Sequence, residues 1–208
     1  MPDDFLGIAE HYGLMSQINI FVLIKTMQLI SSTKDINFSC NLSANALSDE
    51  NLLQLLKTNV ENKKFDPSRM IIEITESVVT THTGMAIKFI NSCKQIGIKF
   101  ALDDFGVGLS SLSNLKIFPV DYLKIDGSFI QNICKSEVDK QFVKSMIEIS
   151  SVLNIKTIAE YVEDKQTMEL LVKLGIDHLQ GYYHGKPDSI DSWQQKGKIK
   201  LQDIEQKH

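Results

Sequence analysis

The sequence is short of the residues that mark secreted, membrane-spanning or nucleic-acid-binding proteins. Only three of its 208 residues are cysteine, Cys40, Cys93 and Cys134. That odd number, without the close spacing of a zinc site, argues against a disulfide framework or a thiolate metal centre. It implies reduced, mostly buried thiols and a cytoplasmic protein. His11, His82, His178 and His184 lack ligand spacing as well and read as structural or surface residues. The apolar run from Ile18 to Ile24 is too short to span a bilayer and is interrupted by a polar residue. Met1-Pro2-Asp3-Asp4 is acidic and leads into an amphipathic stretch, which is no signal peptide. Nor is there an excess of basic charge: 22 basic against 26 acidic residues give −4, with the signs mixed. A nucleic-acid-binding surface would show a basic stripe instead.

With those classes set aside, 43 % hydrophobic residues suit one soluble domain with a sizeable core. Residues 1–196 read as that domain and 197–208 as a polar tail. The chain opens on two helices. Pro2 with Asp3 and Asp4 starts the first, and Gly13 ends it. Ser16 reads as the cap of the second, where Ile20, Leu23, Ile24, Met27 and Ile30 recur at helical spacing. Strands are then expected at 36–42, 70–75, 98–103, 121–125, 155–159 and 177–180. Helices are expected between them, around 45–60, 84–96, 109–116 and 164–174, and near Trp193. A further long helix carries Val138, Phe142, Met146, Ile149 and Leu153 on one face. Strands this apolar need both faces covered, which implies a parallel sheet flanked by helices.

Each strand ends in a polar group. Asn41 follows the first, Glu73 and Glu76 close the second, and Asp103 and Asp104 the third. Lys124 and Asp126 close the fourth, Glu160 the fifth and Gln180 the sixth. Carboxylates are rarely buried unless paired or bound to a cation, so this recurrence points to one shared site. In a doubly wound sheet only the strands near the switch point contribute to a site, whereas a (β/α) barrel gathers every strand end at one mouth. The barrel is the expected fold. An eight-stranded barrel needs about 250 residues, and six strands are legible here. The barrel is therefore expected to be incomplete and open, lacking one or two strands at its start. Two other readings fit the residues alone: acids that pair with the lysines, and Lys124 as the Schiff-base lysine of an aldolase-type barrel. Acids at every neighbouring strand end favour a metal site.

Six segments stand in a distinctive order: Asn41-Leu42-Ser43-Ala44, Glu73-Ile74-Thr75-Glu76-Ser77, Asp103-Asp104-Phe105-Gly106-Val107-Gly108-Leu109-Ser110-Ser111, Lys124-Ile125-Asp126, Ala159-Glu160-Tyr161-Val162-Glu163 and Gln180-Gly181-Tyr182. They closely resemble the EAL domain, the family of the cyclic-di-GMP phosphodiesterases of bacterial signalling. The resemblance runs from Pro2-x-x-Phe5 to Gly185-Lys186-Pro187. It implies a TIM-like (β/α) barrel of EAL type holding two divalent cations, Mg²⁺ or Mn²⁺, on the oxygen ligands that hard ions prefer. By resemblance Asn41, Glu73, Asp103, Asp104 and Glu160 are the metal-site residues, with Glu160 also part of the catalytic set. Lys124 matches the residue that orients and polarises the attacking water or the phosphate, and Gln180 supports that water. Glu76 matches the anchor of the loop after Asp104, which couples the site to the family's dimer interface. Asp126 and Glu163 are candidates for substrate contact or for support of the ligands. The implied reaction is hydrolysis of cyclic-di-GMP to linear pGpG. The implied partners are a second copy of the chain or an upstream sensory or regulatory domain.

The sequence departs from the family in three places. The Glu-x-Leu segment that precedes Pro2-x-x-Phe5 in the family is not in the sequence; with it go a ligand glutamate, an arginine that contacts phosphate and the first strands. Val107 and Leu109 stand where the family has Thr and Tyr, and Tyr161 stands where it usually has Gly, crowding the backbone beside Glu160. Two expectations follow: a phosphodiesterase domain inactive without its upstream segment, or a catalytically dead cyclic-di-GMP receptor or protein-interaction module. The retained ligand set favours the first.

Overall fold

The computed structural model describes residues 2–107 and 115–196. Most of the short helix expected at 109–116 lies outside those residues, as do Gly108, Leu109, Ser110, Ser111 and the tail 197–208. The first half of the chain runs through α1 (Pro2–His11), α2 (Met15–Ser32), β1 (Phe38–Asn41), α3 (Glu50–Glu61), β2 (Met70–Thr75), α4 (Glu76–Thr81) and α5 (Thr83–Gln95). The second runs through β3 (Lys99–Phe105), β4 (Tyr122–Ile125), α6 (Gly127–Ile130), α7 (Glu137–Val152), β5 (Lys156–Ala159), α8 (Lys165–Leu174), β6 (His178–Leu179) and α9 (Ile190–Gln195). These form two compact units. One comprises Met1–Ile74, Thr81–Lys99 and Ser189–His208, the other Thr75–Thr80 and Phe100–Asp188.

In the first unit β1 and β2 pair in parallel, from Phe38 opposite Met70 to Asn41 opposite Glu73. Helix α2 buries Leu23, Met27 and Ile30, α3 buries Leu52 and Leu56, and α5 buries Ala86, Phe89, Ile90 and Cys93. Ser16 is not the cap of α2. Leu14 holds that position without a side-chain bond, and the Ser16 hydroxyl instead donates to Asp49. Asp49 caps α3, accepting from the Asn51 and Leu52 N–H groups. The chain's only arginine, Arg69, ties the end of α2 to the start of β1. Its guanidinium donates to the carbonyls of Ile30, Thr33 and Ile36 and to the Thr33 hydroxyl, at 2.6–2.8 Å. A helix C-terminus leaves carbonyls unpaired, and this five-donor fork satisfies several at once.

In the second unit β3, β4, β5 and β6 are parallel neighbours in chain order. The register runs from Tyr122 opposite Lys156 to Ile125 opposite Ala159. Aspartates at the starts of β4 and β6 tie each of those strands to the one before it. The Asp121 carboxylate accepts from the Phe100 N–H at 2.9 Å. That of Asp177 accepts from the Thr157 N–H at 2.8 Å and its hydroxyl at 2.9 Å. Helix α7 buries Val143, Met146, Ile147 and Ser150. Val138 and Phe142, expected on its core face, are exposed. Of the thiols, expected to be mostly buried, Cys40 and Cys93 are buried and Cys134 is exposed.

All ladders are parallel with helices between the strands, the α/β barrel-type fold read from the sequence. Six strands are present among the described residues, where a complete barrel has eight. Among those residues β1 pairs with one strand, β2, and β6 with one, β5. No described helix is long and apolar enough to cross a membrane.

Candidate active site

Adjacent residues of a regular strand point to opposite faces, so Asp103 and Asp104 should not share a site. Two features of β3 bring them together. The β3–β4 register shifts between Leu102 and Phe105, and Asp104 takes a left-handed backbone, φ 55°, which aspartate tolerates better than most residues. Carboxylate oxygens of Asp103, Asp104 and Glu160 consequently lie within 4.8 Å of one another. The β4–β5 register delivers Glu160: its N–H donates to the Ile125 carbonyl, one step past the end of the ladder.

Lys124 bridges two members of this cluster. Its Nζ lies 2.7 Å from Asp103 Oδ1 and 2.8 Å from Glu160 Oε1, with all three side chains largely buried. Burial pushes the Glu160 carboxyl above its ordinary range. The Lys124 hydrogen bond and charge pull it back, while Asp103 and Asp104 add to the rise. Asp103 and Glu160 are buried and paired with Lys124, and Asp104 is exposed beside them. An all-oxygen donor set of this kind fits a hard divalent cation.

The remaining candidates fall into place around or away from this cluster. Glu76 opens α4 and is buried. Its Oε2 accepts from the Gly106 N–H at 3.0 Å, and its Oε1 has no hydrogen-bond partner among the described residues. Gly106 sits at φ 104°, where a Cβ would come within 2.7 Å of the Phe129 ring, so the start of the loop after Asp104 is held to glycine. Gln180 is exposed, and its backbone bonds to Ala159 and Val162 keep it beside the end of β5. The Asp126 carboxylate caps α6, accepting from the Ser128 N–H at 2.8 Å. Glu163 and Val107 are exposed. In the other unit Asn41 and Glu73 are register partners, Glu73 buried and Asn41 exposed. The adjacent Cys40 thiol is pushed up to about 12, chiefly by burial.

Two contributors escaped the sequence reading. Asn19 on α2 is buried. It donates to the Ser43 hydroxyl at 2.8 Å and accepts from the Ser43 N–H, fixing the turn that follows Asn41. The signal was a single amide inside the apolar run 18–24. The other is the conformation of Tyr161, φ 53°, a left-handed backbone that glycine adopts without strain. Beyond the end of the β4–β5 ladder, its ring lies where a Gly127 Cβ would be, 2.2 Å from Cδ2. The crowding expected beside Glu160 is thus taken up by the absence of a side chain at 127.

Comparison with known proteins agrees with this geometry. The EAL domain family matches residues 1–187. The chain is 33 % identical over 193 residues to the cyclic di-GMP phosphodiesterase PdeF of Escherichia coli K12, covering 91 % of this chain and 26 % of that protein. It spans about a quarter of the length of the curated relatives it matches. The solved PaMucR phosphodiesterase, a c-di-GMP complex, superposes with a TM-score of 0.85 at 31 % identity, covering 92 % of this chain and 80 % of that one. The FimX EAL domain from Pseudomonas aeruginosa, bound to c-di-GMP, gives 0.84 at 25 % identity, with 90 % and 76 % covered. A parallel α/β fold, the acidic cluster at its strand ends and a match over nearly the whole length lead to one conclusion: the chain belongs to the EAL domain family.

Proposed function

We propose that this domain binds cyclic-di-GMP at the Asp103–Asp104–Glu160 cluster and opens one phosphodiester bond to give linear pGpG. The observation that carries the reading is the convergence of three carboxylates within 4.8 Å, two of them bridged by the Lys124 ammonium. Relatives and structural neighbours named for cyclic-di-GMP hydrolysis or binding support the choice of substrate. Asp103, Asp104 and Glu160 would hold Mg²⁺ or Mn²⁺. Two such ions, when bound, supply an acidified water and charge for the leaving oxygen. Lys124 does the orienting. Held between Asp103 and Glu160, its ammonium would be placed to donate an N–H to a phosphate oxygen or to the attacking water. Gln180, exposed beside the end of β5, supplies an amide to hold that water. Glu76 pins the loop after Asp104 through Gly106, which makes that loop the route from the site to a second copy of the chain.

Arg69, the only arginine, is engaged with backbone carbonyls, so phosphate contact falls to lysine and backbone groups. A cyclic-di-GMP receptor without turnover is the second reading, favoured by that same engagement of Arg69. Chromatographic assay of pGpG with Mg²⁺ or Mn²⁺ tests both. Cation-dependent product formation that Lys124→Ala or Asp103→Asn abolishes supports hydrolysis. Product formation unchanged by those substitutions refutes the site.

A further inference from the structure

We propose that Tyr161 is a stacking platform for a purine base of the bound nucleotide. The inference rests on the reading of the neighbouring cluster as a nucleotide site. An aromatic residue at φ 53° is a backbone outlier, and such outliers persist where something in the surroundings or in function holds them. Packing accounts for only part of it. One side of the ring lies against Gly127, yet the residue remains 54 % exposed. The Gly127 contact holds the ring in place, and a single peptide link joins its residue to Glu160 of the cluster.

Other aromatic rings follow β6 in the same unit, and they are already engaged. Tyr182 carries the Lys186 ammonium 5.5 Å from its ring centroid, and Tyr183 meets the His184 ring edge-on at 5.3 Å. Tyr161 makes no such ring or cation contact among the described residues. A supported, exposed aromatic face beside a cation-binding cluster suits a ligand that joins phosphate to flat bases, because every base offers a π-face for stacking.

Calorimetric titration of cyclic-di-GMP in Mg²⁺, with Mn²⁺ titrated alone as a control, tests this on the wild type, Tyr161→Phe and Tyr161→Gly. The phenylalanine variant should bind cyclic-di-GMP as the wild type does. The glycine variant should lose roughly tenfold in affinity, bind Mn²⁺ alone unchanged, and melt no lower than wild type because glycine relieves the backbone. Unchanged cyclic-di-GMP affinity in Tyr161→Gly overturns the proposal. So does a parallel fall in Mn²⁺ affinity, which would make the ring a positioner of Glu160. If the wild type binds Mn²⁺ but no cyclic-di-GMP, the nucleotide site itself is refuted, and the platform with it.

Discussion

Lys124 sets the charge balance of the site. Its ammonium bridges Asp103 and Glu160 away from water, and removing one member of a buried ion-paired set leaves uncompensated charge, typically about 3–5 kcal/mol. Lys124→Ala should therefore lower stability by about 3 kcal/mol in EDTA, measured by urea unfolding. Mn²⁺ should restore part of the loss, because an ion that binds only the folded state stabilises it. Equal stability of variant and wild type in EDTA would contradict the bridge. Glu160 adds a pH dependence. Its folded pKa is raised, chiefly by burial, so the folded chain takes up a proton before the unfolded chain does as pH falls. The charged form costs stability above that pKa, and acid relieves the cost while competing with a cation. Mn²⁺ affinity should thus weaken as pH drops from neutral toward the carboxylate range, and a flat profile would count against the ligand. The four central residues were legible because charged groups at apolar strand ends need a reason. The role of Asp126 was not: a capping carboxylate and a substrate-contacting one look alike in sequence.

At the scale of elements, the strands were read well and the helix faces less so. In α7 the stripe Val138, Phe142, Met146 competes with Val143, Met146, Ile147, Ser150, and the second is buried. A fully buried serine hid the true face from a reading based on apolar spacing. Phe142 instead meets Phe129 on α6, 5.9 Å between ring centroids, and α6 itself escaped the reading. The aspartates of the β-starts were legible in hindsight, since Val120-Asp121-Tyr122-Leu123 and Ile176-Asp177-His178-Leu179 repeat one pattern. Capping aspartates give a second pH signature. The hydroxyl bond from Ser16 holds Asp49 below the usual range, as that from Ser68 does for Asp66, and the Thr167 N–H does the same for Asp164. Depressed folded pKa values give stability that is present above the unfolded carboxylate range and lost as pH falls through the folded values. Asp49→Ala should cost about 1 kcal/mol at neutral pH and flatten the acid limb of the melting profile. An unchanged acid limb would remove Asp49 from the account.

For the whole molecule, alternation of strand and helix was enough to give the fold class, because strands this apolar leave a parallel sheet as the consistent arrangement. The division into two compact units was not legible, since both are woven from interleaved segments with no linker between them. Strands β1 and β6 each have one strand partner among the described residues, and unpaired ladder groups favour association. Sedimentation velocity should therefore show concentration-dependent self-association of the 208-residue chain; a monomer at every concentration would contradict this. The central claim is that the carboxylate cluster binds cyclic-di-GMP through a divalent cation. Its most direct test is calorimetric titration of cyclic-di-GMP into the chain in Mg²⁺ and in EDTA, with wild type and Asp103→Asn, both verified as folded by circular dichroism. The account predicts saturable binding by the wild type that disappears in EDTA and in Asp103→Asn. Binding indifferent to the cation and to Asp103, or no binding by the wild type in Mg²⁺, would contradict it.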